Sequence, residues 1–405
     1  MSHSAAQETA AAPLARAIDR PAALLSLLLV GSVTEAIFLI LPSFVGAIGD
    51  LLHLSPARTG LLGSADLAGI ALSTATGAWW LRRVSWRRTA GLALALFFLL
   101  NALCFFVTAF YPLLALRLAA GLTAGVAYAV ALAGIVDTSH ADRNAGLLLC
   151  MQVVFSAIGL YVADVVPPHW RLDVVYGYIL AWLAPTLLVT GWRFPEDPGE
   201  RPRSGTLKWR RVAGRGAAAL IGAGLYFLMI GAVWGYLEGV ARGAGLTLGQ
   251  TGDALSAGLV LSLGGSAAAA LIGVRFGRVL PLIVTAAFQI GALLLLTRLG
   301  HYARPVAMFF WINTVFQIFW SYVIAYFIVI FSDVDESGRF VAFYGTASHL
   351  MLAVGPYVGA LLIEDGGYPL LLWFGVVTTA LCYVSFVTAA GLSRPRQARE
   401  ARVTL

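Results

Sequence analysis

Residues 112–136 read PLLALRLAAGLTAGVAYAVALAGIV, and this stretch decides the class of fold. It contains a single charged side chain, that of Arg117. The core of a bilayer is about 30 Å thick, and an α-helix needs roughly 20 apolar residues to cross it. The stretch therefore predicts a transmembrane helix.

Eleven other stretches of similar length and composition predict further spans. With the first stretch they make twelve, six before a polar segment and six after it. The predicted spans are Ala22–Ile48, Ala57–Leu81, Thr89–Phe110, Pro112–Val136, Ala145–Val166, Val174–Trp192, Gly216–Val240, Gly252–Ile272, Leu280–Leu299, Pro305–Phe331, Val341–Ile363 and Leu370–Gly391. The sequence thus predicts an all-α membrane protein with twelve transmembrane helices and the lipid bilayer as its surroundings.

Composition agrees with a membrane protein and excludes other classes. Apolar residues make up 60% of the chain and charged residues 12%, against about 45–50% and 25% in soluble domains. The net charge of +7 comes from short basic clusters between apolar runs, whereas a nucleic-acid-binding protein carries a continuous basic stripe. Nucleic acid is therefore not an expected partner.

No motif in the sequence indicates an enzyme, a cofactor or a metal site. HExxH, GxSxG and Walker patterns are missing from the sequence. Cys104, Cys150 and Cys382 lie singly in apolar runs, without disulfide or metal spacing. We expect them to be free, buried thiols.

The basic residues predict five parts and an orientation. These are a disordered cytoplasmic tail (1–20), a six-helix bundle (21–192), a cytoplasmic connector (193–215), a second six-helix bundle (216–392) and a cytoplasmic tail (393–405). Most Lys and Arg residues then fall in loops on the same side as both termini, which the positive-inside rule assigns to the cytoplasm. The arginine-rich loops and the lack of extra domains suggest a bacterial inner membrane.

The two bundles carry similar loops, which indicates an internal repeat. Arg83 after the second span matches Arg275 after the eighth, and Asp137 with Arg143 matches Asp333 with Arg339. Repeats of six spans related by an axis along the membrane normal are a transporter architecture. Gating is expected in these loops, through Arg83, Arg87, Asp137, Arg143, Arg275, Arg278, Asp333 and Arg339.

Three motifs resemble those of the major facilitator superfamily. They are the loop from Gly77 to Arg88, without the acid of the family signature, the Arg117-to-Gly125 segment with its intramembrane arginine, and Gly355-Pro356-Tyr-Val-Gly359 in the eleventh span. The resemblance covers 22–391 and implies two pseudo-symmetric six-helix bundles. It also implies a secondary transporter that works by alternating access, expected as a monomer.

Charged side chains within spans are costly, so they mark candidate proton sites. Glu35 lies midway along the first span, Asp66 in the outer half of the second and Arg117 in the fourth. The resemblance implies that Glu35 faces Arg117. We expect Glu35 to take and release a proton, with a structural ion pair as the alternative.

Polar and aromatic residues deep in the spans are the candidate solute ligands. They are Asn313, Gln317 and Trp320 in the tenth span, Trp234 in the seventh, Tyr128 in the fourth and Gln152 in the fifth. His349 is a weaker candidate, and Glu238 is expected to form a surface pair with Arg242.

The leading functional hypothesis is a proton-coupled carrier of a small organic solute. Two alternatives stay open: an exporter of amphipathic or cationic compounds, and a transporter-like sensor that moves nothing.

Overall fold

The computed structural model describes residues 17–196, 209–273, 275–334 and 339–391, and these residues form helices without strands. Nine helices in these ranges are long and apolar enough to cross a membrane. One of them, Arg339–Gly391, consists of two spans, the eleventh and the twelfth. They are divided at Gly366 and Gly367, whose backbone angles are not helical. Two shorter apolar helices belong to the first span, and Pro56–Trp80 forms the second.

Within the described ranges, twelve spans follow one another. The first span consists of Pro21–Val33, Ala36–Leu39 and Leu41–Leu52; the next five are Pro56–Trp80, Trp86–Cys104, Phe110–Asp137, Ala141–Asp164 and Arg171–Arg193. The seventh consists of Trp209–Trp234 and Leu237–Gly243, and the eighth to tenth are Leu248–Ile272, Val279–Leu296 and Pro305–Val334. Short 3₁₀ turns at Pro168–Trp170 and Leu299–His301 precede the sixth and tenth spans.

Proline explains the break in the outer part of the first span. Pro42 has no N–H, so the carbonyl of Phe38, four residues earlier, receives no helical hydrogen bond. The indole Nε1 of Trp234 in the seventh span donates to that carbonyl instead, at 3.0 Å. A break in one bundle thus becomes a contact with the other.

The internal repeat has an offset of 192 positions at the second and eighth spans, Pro56–Trp80 and Leu248–Ile272, and of 196 positions at the helix breaks and the loop ion pairs. The first span breaks at Ile40 (φ −114°, ψ 24°) and the seventh at Tyr236 (φ −118°, ψ 8°). Arg82 pairs with Asp137 in the first bundle and Arg278 with Asp333 in the second. In each pair the arginine precedes the aspartate by 55 residues.

Arg83 and Arg275 lie 192 positions apart, which is the offset of the second and eighth spans that precede them. Both side chains are exposed, as is that of Arg143. Arg87 contacts the connector instead, through the Phe194 carbonyl at 2.8 Å and Glu196 at 2.5 Å. Of the predicted loop residues, the structure therefore joins Asp137 to Arg82 and Asp333 to Arg278.

Glycines allow the second and fourth spans to cross at backbone contact. A Cβ atom on Gly121 would collide with the backbone of Asp66, and one on Gly125 would lie 2.7 Å from the Cα of Ile70. Gly265 in the eighth span meets the Ile318 backbone of the tenth in the same way. Small residues at such positions are typical of membrane helix packing.

The two bundles are joined on the membrane face away from residues 17 and 391, the first and last that the structure describes, and we call it the opposite face. There the Ala57 N–H donates to Glu364 at 2.9 Å, and the Tyr357 N–H donates to the Ser64 hydroxyl at 3.0 Å. Both bonds connect the second span to the eleventh. The structure therefore has a closed opposite face.

Some predicted segments lie wholly or partly outside the described residues. They are the tails at 1–20 and 393–405, the connector at 193–215 and the side chain of Arg339.

Candidate functional site

A second break in the first span places Glu35 at the centre of the protein. Glu35 has φ −93° and ψ 11°, and its N–H bonds to the Ser32 carbonyl at 3.3 Å instead of continuing the α-helical pattern. The Gly31 carbonyl is therefore released from the helix. Gln152 of the fifth span donates its Nε2 to that carbonyl at 3.2 Å, so Gln152 stabilises the break that presents Glu35.

Glu35 faces the second bundle, where it meets His349 of the eleventh span. Its Oε1 atom lies 3.6 Å from Nε2 of His349, and the glutamate is only 4% exposed. The ring of Tyr128 packs edge-on against His349, with the centroids 5.8 Å apart, and the Tyr128 hydroxyl contacts Gln152. Side chains from the first, fourth, fifth and eleventh spans thus meet at one point.

The structure corrects the expected contact between Glu35 and Arg117. The buried Arg117 guanidinium instead pairs with Asp66 and donates to Asn101 Oδ1 at 2.9 Å. The glycine-mediated crossing of the second and fourth spans brings Asp66 to Arg117, while the helix break turns Glu35 toward His349. Glu35 still lies within electrostatic range of Asp66.

Phe38 lies one helical turn after Glu35 and begins a row of three aromatic rings. Phe38 meets Trp320 with the ring centroids 6.1 Å apart, and Trp320 meets Trp234 at 5.9 Å. Phe38 and Trp320 are half-buried, whereas Trp234 is buried. The structure therefore brings together five predicted residues: Glu35, Tyr128, Gln152, Trp234 and Trp320.

Asn313 and Gln317 lie elsewhere, between the eighth and tenth spans. The Asn313 amide donates to the Ala254 carbonyl at 3.0 Å, and Gln317 donates to the Asn313 side chain at 2.9 Å. Both are buried. In this structure they connect two helices of the second bundle and do not join the Glu35 group.

A buried cluster on the opposite face, which we call the outer cluster, contains Arg171, Asp164 and Glu238. Arg171 pairs with both acids, and the Ser43 hydroxyl donates to Asp164 at 3.2 Å. Arg171 and Asp164 belong to the first bundle and Glu238 to the second. The cluster therefore forms an ion pair across the interface.

The prediction that Glu238 forms an ordinary surface pair is wrong. Glu238 is 1% exposed, and its oxygen lies 3.7 Å from Arg242 but 2.8 Å from Nη1 of Arg171. The break at Tyr236 turns the end of the seventh span inward, and Gly46 leaves room for the carboxylate. Arg242 forms a more exposed pair across the interface with Asp50, at 2.7 Å.

Within the described ranges, no three His, Cys, Asp or Glu side chains gather as a metal site. All three cysteines are free; Cys104 and Cys382 are buried, but Cys150 is exposed, contrary to expectation. Cys150 lies on the outward-facing side of the fifth span. Its neighbours in the sequence are therefore apolar although its side chain is not buried in the protein.

Comparison with known proteins identifies the family. The family model described as Major Facilitator Superfamily matches residues 23–310. The chain therefore belongs to the major facilitator superfamily. Among curated protein sequences, none matches the chain.

Solved structures of transporters share the fold. A point mutant of the nucleoside transporter NupG is 10% identical, with a TM-score of 0.67 over 92% of this chain and 100% of that chain. A D-xylose-proton symporter is 15% identical, with a TM-score of 0.66 over 89% and 95%. The xylose transporter XylE from E. coli, in a partially occluded inward open conformation, is 14% identical, with a TM-score of 0.67 over 90% and 97%.

At these identities the likeness shows the fold. The predicted all-α fold of twelve transmembrane helices in two pseudo-symmetric six-helix bundles is confirmed. The chain is a multi-pass membrane protein of a transporter family, and its family and structural neighbours indicate a transporter and not an enzyme.

Proposed function

We propose that this protein is a proton-coupled secondary transporter of a small organic solute, working as a monomer by alternating access. The observation that carries the proposal is the position of Glu35, a buried acid at a helix break between the two bundles. Alternating access requires the bundles to move relative to each other around a central site. A proton on Glu35 would therefore respond to that movement.

The surroundings of Glu35 favour a proton as the coupling ion. An ionised carboxylate is costly in a buried place unless it is paired. Its Oε1 accepts no hydrogen bond from the described residues, and its neighbour His349 is itself titratable. Movement of His349 away from Glu35 would change the cost of the charge, which is how a carrier can bind a proton in one state and release it in another.

The solute that best suits this centre is neutral and polar with one apolar face. Arg117 is already paired with Asp66, so its guanidinium is not free to bind an anionic solute. Tyr128 and Gln152 supply hydroxyl and amide groups, and the rings of Phe38 and Trp320 supply a flat apolar surface. Sugars and nucleosides have this chemistry, and the similar structures include a nucleoside transporter and a D-xylose-proton symporter.

A second candidate is export of amphipathic or cationic compounds in exchange for protons. The same observation, a central acid beside aromatic rings, also suits an organic cation, because aromatic faces attract cations. The positive-inside rule favours both termini in the cytoplasm, and the arginine-rich loops favour a bacterial inner membrane. The opposite face, which is closed here, would then face outward.

Accumulation in lipid vesicles under an imposed pH gradient tests the proposal. The probes are D-xylose, uridine and a cationic dye, and the variants are Glu35→Gln and, as a control, Asp173→Asn at an exposed acid of the sixth span. We expect gradient-driven accumulation of a neutral probe by the native protein and the control, and its loss in Glu35→Gln. Movement of the dye but of neither neutral probe would favour proton-coupled export of cationic compounds. Full accumulation by Glu35→Gln would rule out a role of Glu35 in proton coupling.

A further inference from the structure

We infer that Glu35 and His349 hold one proton between them across the interface of the two bundles, so that the pair is the proton site and not Glu35 alone. The inference rests on the proton-coupled transport proposed above and adds a second residue to it. It begins with the hydrogen bond on the far side of the histidine ring.

The tautomer of His349 follows from that bond. Its Nδ1 atom lies 2.8 Å from the Gly345 carbonyl oxygen. A carbonyl only accepts hydrogen bonds, so Nδ1 must carry the hydrogen. A neutral ring then has a lone pair and no hydrogen at Nε2.

Another acceptor lies beside that lone pair. Nε2 lies 3.6 Å from Oε1 of Glu35, and an ionised carboxylate can only accept. Two facing acceptors in a buried place repel each other. One proton from water resolves the conflict, because it forms either an O–H on Glu35 or an N–H on His349, and either bond points at the opposite acceptor.

The other groups around the pair do not replace this proton. Tyr128 contacts the histidine ring edge-on, and its phenol is a neutral group that supplies no charge. Asp66 adds a further negative charge near Glu35, and that charge is balanced by Arg117. The proton is therefore the positive charge that holds Glu35 and His349 together.

Because the two residues belong to different bundles, this proton also connects the bundles. When the proton leaves to water, the attraction between the first and eleventh spans becomes repulsion at the same point. The pair thus links proton release to separation of the bundles around the central site.

Histidine side-chain ¹⁵N NMR of the full-length protein in lipid nanodiscs tests the pair without any solute. The chain has six histidines, and the His349 signal is the one lost in His349→Gln. We expect Glu35→Gln to move the titration midpoint of that signal by at least about one pH unit, a tenfold change in proton affinity, as a charge within about 4–6 Å does. Asp173→Asn should leave it in place. An identical midpoint with and without the Glu35 carboxylate would overturn the inference.

Transport provides a second, separate measure. For D-xylose and uridine, we expect Glu35→Gln, His349→Gln and the double variant to lower proton-driven accumulation by the same factor, since residues of one site act as a unit. His301→Gln, at an exposed histidine, serves as the control. Single effects that multiply in the double variant would show two independent sites and overturn the pair.

The two measurements separate failure of the pair from failure of the proposed function. If the native protein moves neither probe, the function proposed for these solutes fails, while the NMR midpoint still decides the pair. If accumulation depends on Glu35 but the His349 midpoint does not, the pair is wrong and proton-coupled transport stands.

Discussion

Removal of Arg171 should open the opposite face of the protein. Arg171→Gln would leave Asp164 and Glu238 buried together with no cation between them, since Arg242 lies 3.7 Å from Glu238 and is 39% exposed, whereas Arg171 and Glu238 are only 1% and 2% exposed. Removing one partner of a buried ion pair costs about 3–5 kcal/mol. In an open state both acids would reach water, so this cost falls mainly on the closed state.

The expected change in the ratio of open to closed molecules follows from this cost to the closed state. Because each 1.36 kcal/mol corresponds to a factor of about ten, the ratio of open to closed molecules should rise about 10²-fold or more. Arg242→Gln is the matched comparison, since it breaks the other ion pair across the same interface. That pair is 39% and 43% exposed, and exposed pairs contribute about 0–1 kcal/mol, so its shift should stay below about fivefold.

Spin-label distance measurements between Arg58→Cys and Asp365→Cys would report this opening, in a background where the exposed Cys150 is replaced by Ser. The two labels lie on the second and eleventh spans near their contact on the opposite face. We expect a longer distance to dominate in Arg171→Gln and the short distance to persist in Arg242→Gln. Equal distributions in both variants would refute the idea that the buried pair holds this face closed.

Three further substitutions test the packing and the surface charges. Gly46→Ala would place a methyl group 2.8 Å from the carboxyl carbon of Glu238, so we expect it to lengthen the distance between the same two spin labels. Gly49→Ala is the control and should leave that distance unchanged, because the nearest atom to its methyl group is 3.5 Å away. Gly125→Ala should lower the free energy of unfolding by about 1–3 kcal/mol through overpacking, while Gly91→Ala, which has no atom within 4 Å, should not lower it; thermal unfolding in detergent measures both. Arg82→Ala should lower that free energy by less than about 1 kcal/mol, because its side chain is 41% exposed, and a larger loss in the same assay would contradict this reasoning.

The fold could be predicted because membrane helices leave a strong record in sequence. Apolar runs such as 112–136 can be recognised as spans without knowledge of the tertiary structure. The charges of the loops can likewise be read from the sequence alone, and they predict the orientation in the membrane. The presence of Glu35 inside a span was similarly visible, since a carboxylate within an apolar run is unusual enough to mark a site.

The partners of these residues could not be predicted, because they depend on helix rotation and helix breaks. Asn313 and Gln317 lie in a span that is apolar all round, so the sequence does not reveal which neighbour its polar side chains face. Glu238 lies near a helix end, where a surface pair is the ordinary expectation, yet the break at Tyr236 buries it. His349 meets Glu35 from the far end of the chain, and no local signal connects them.

The most direct test of the account is the pH outside vesicles that contain the protein, recorded as D-xylose, uridine or a cationic dye is added. We predict that one of the neutral probes triggers proton movement in the native protein and in Asp173→Asn, and that Glu35→Gln abolishes it while remaining folded. Proton movement that persists undiminished in Glu35→Gln would contradict the central claim that this buried acid carries the coupling proton.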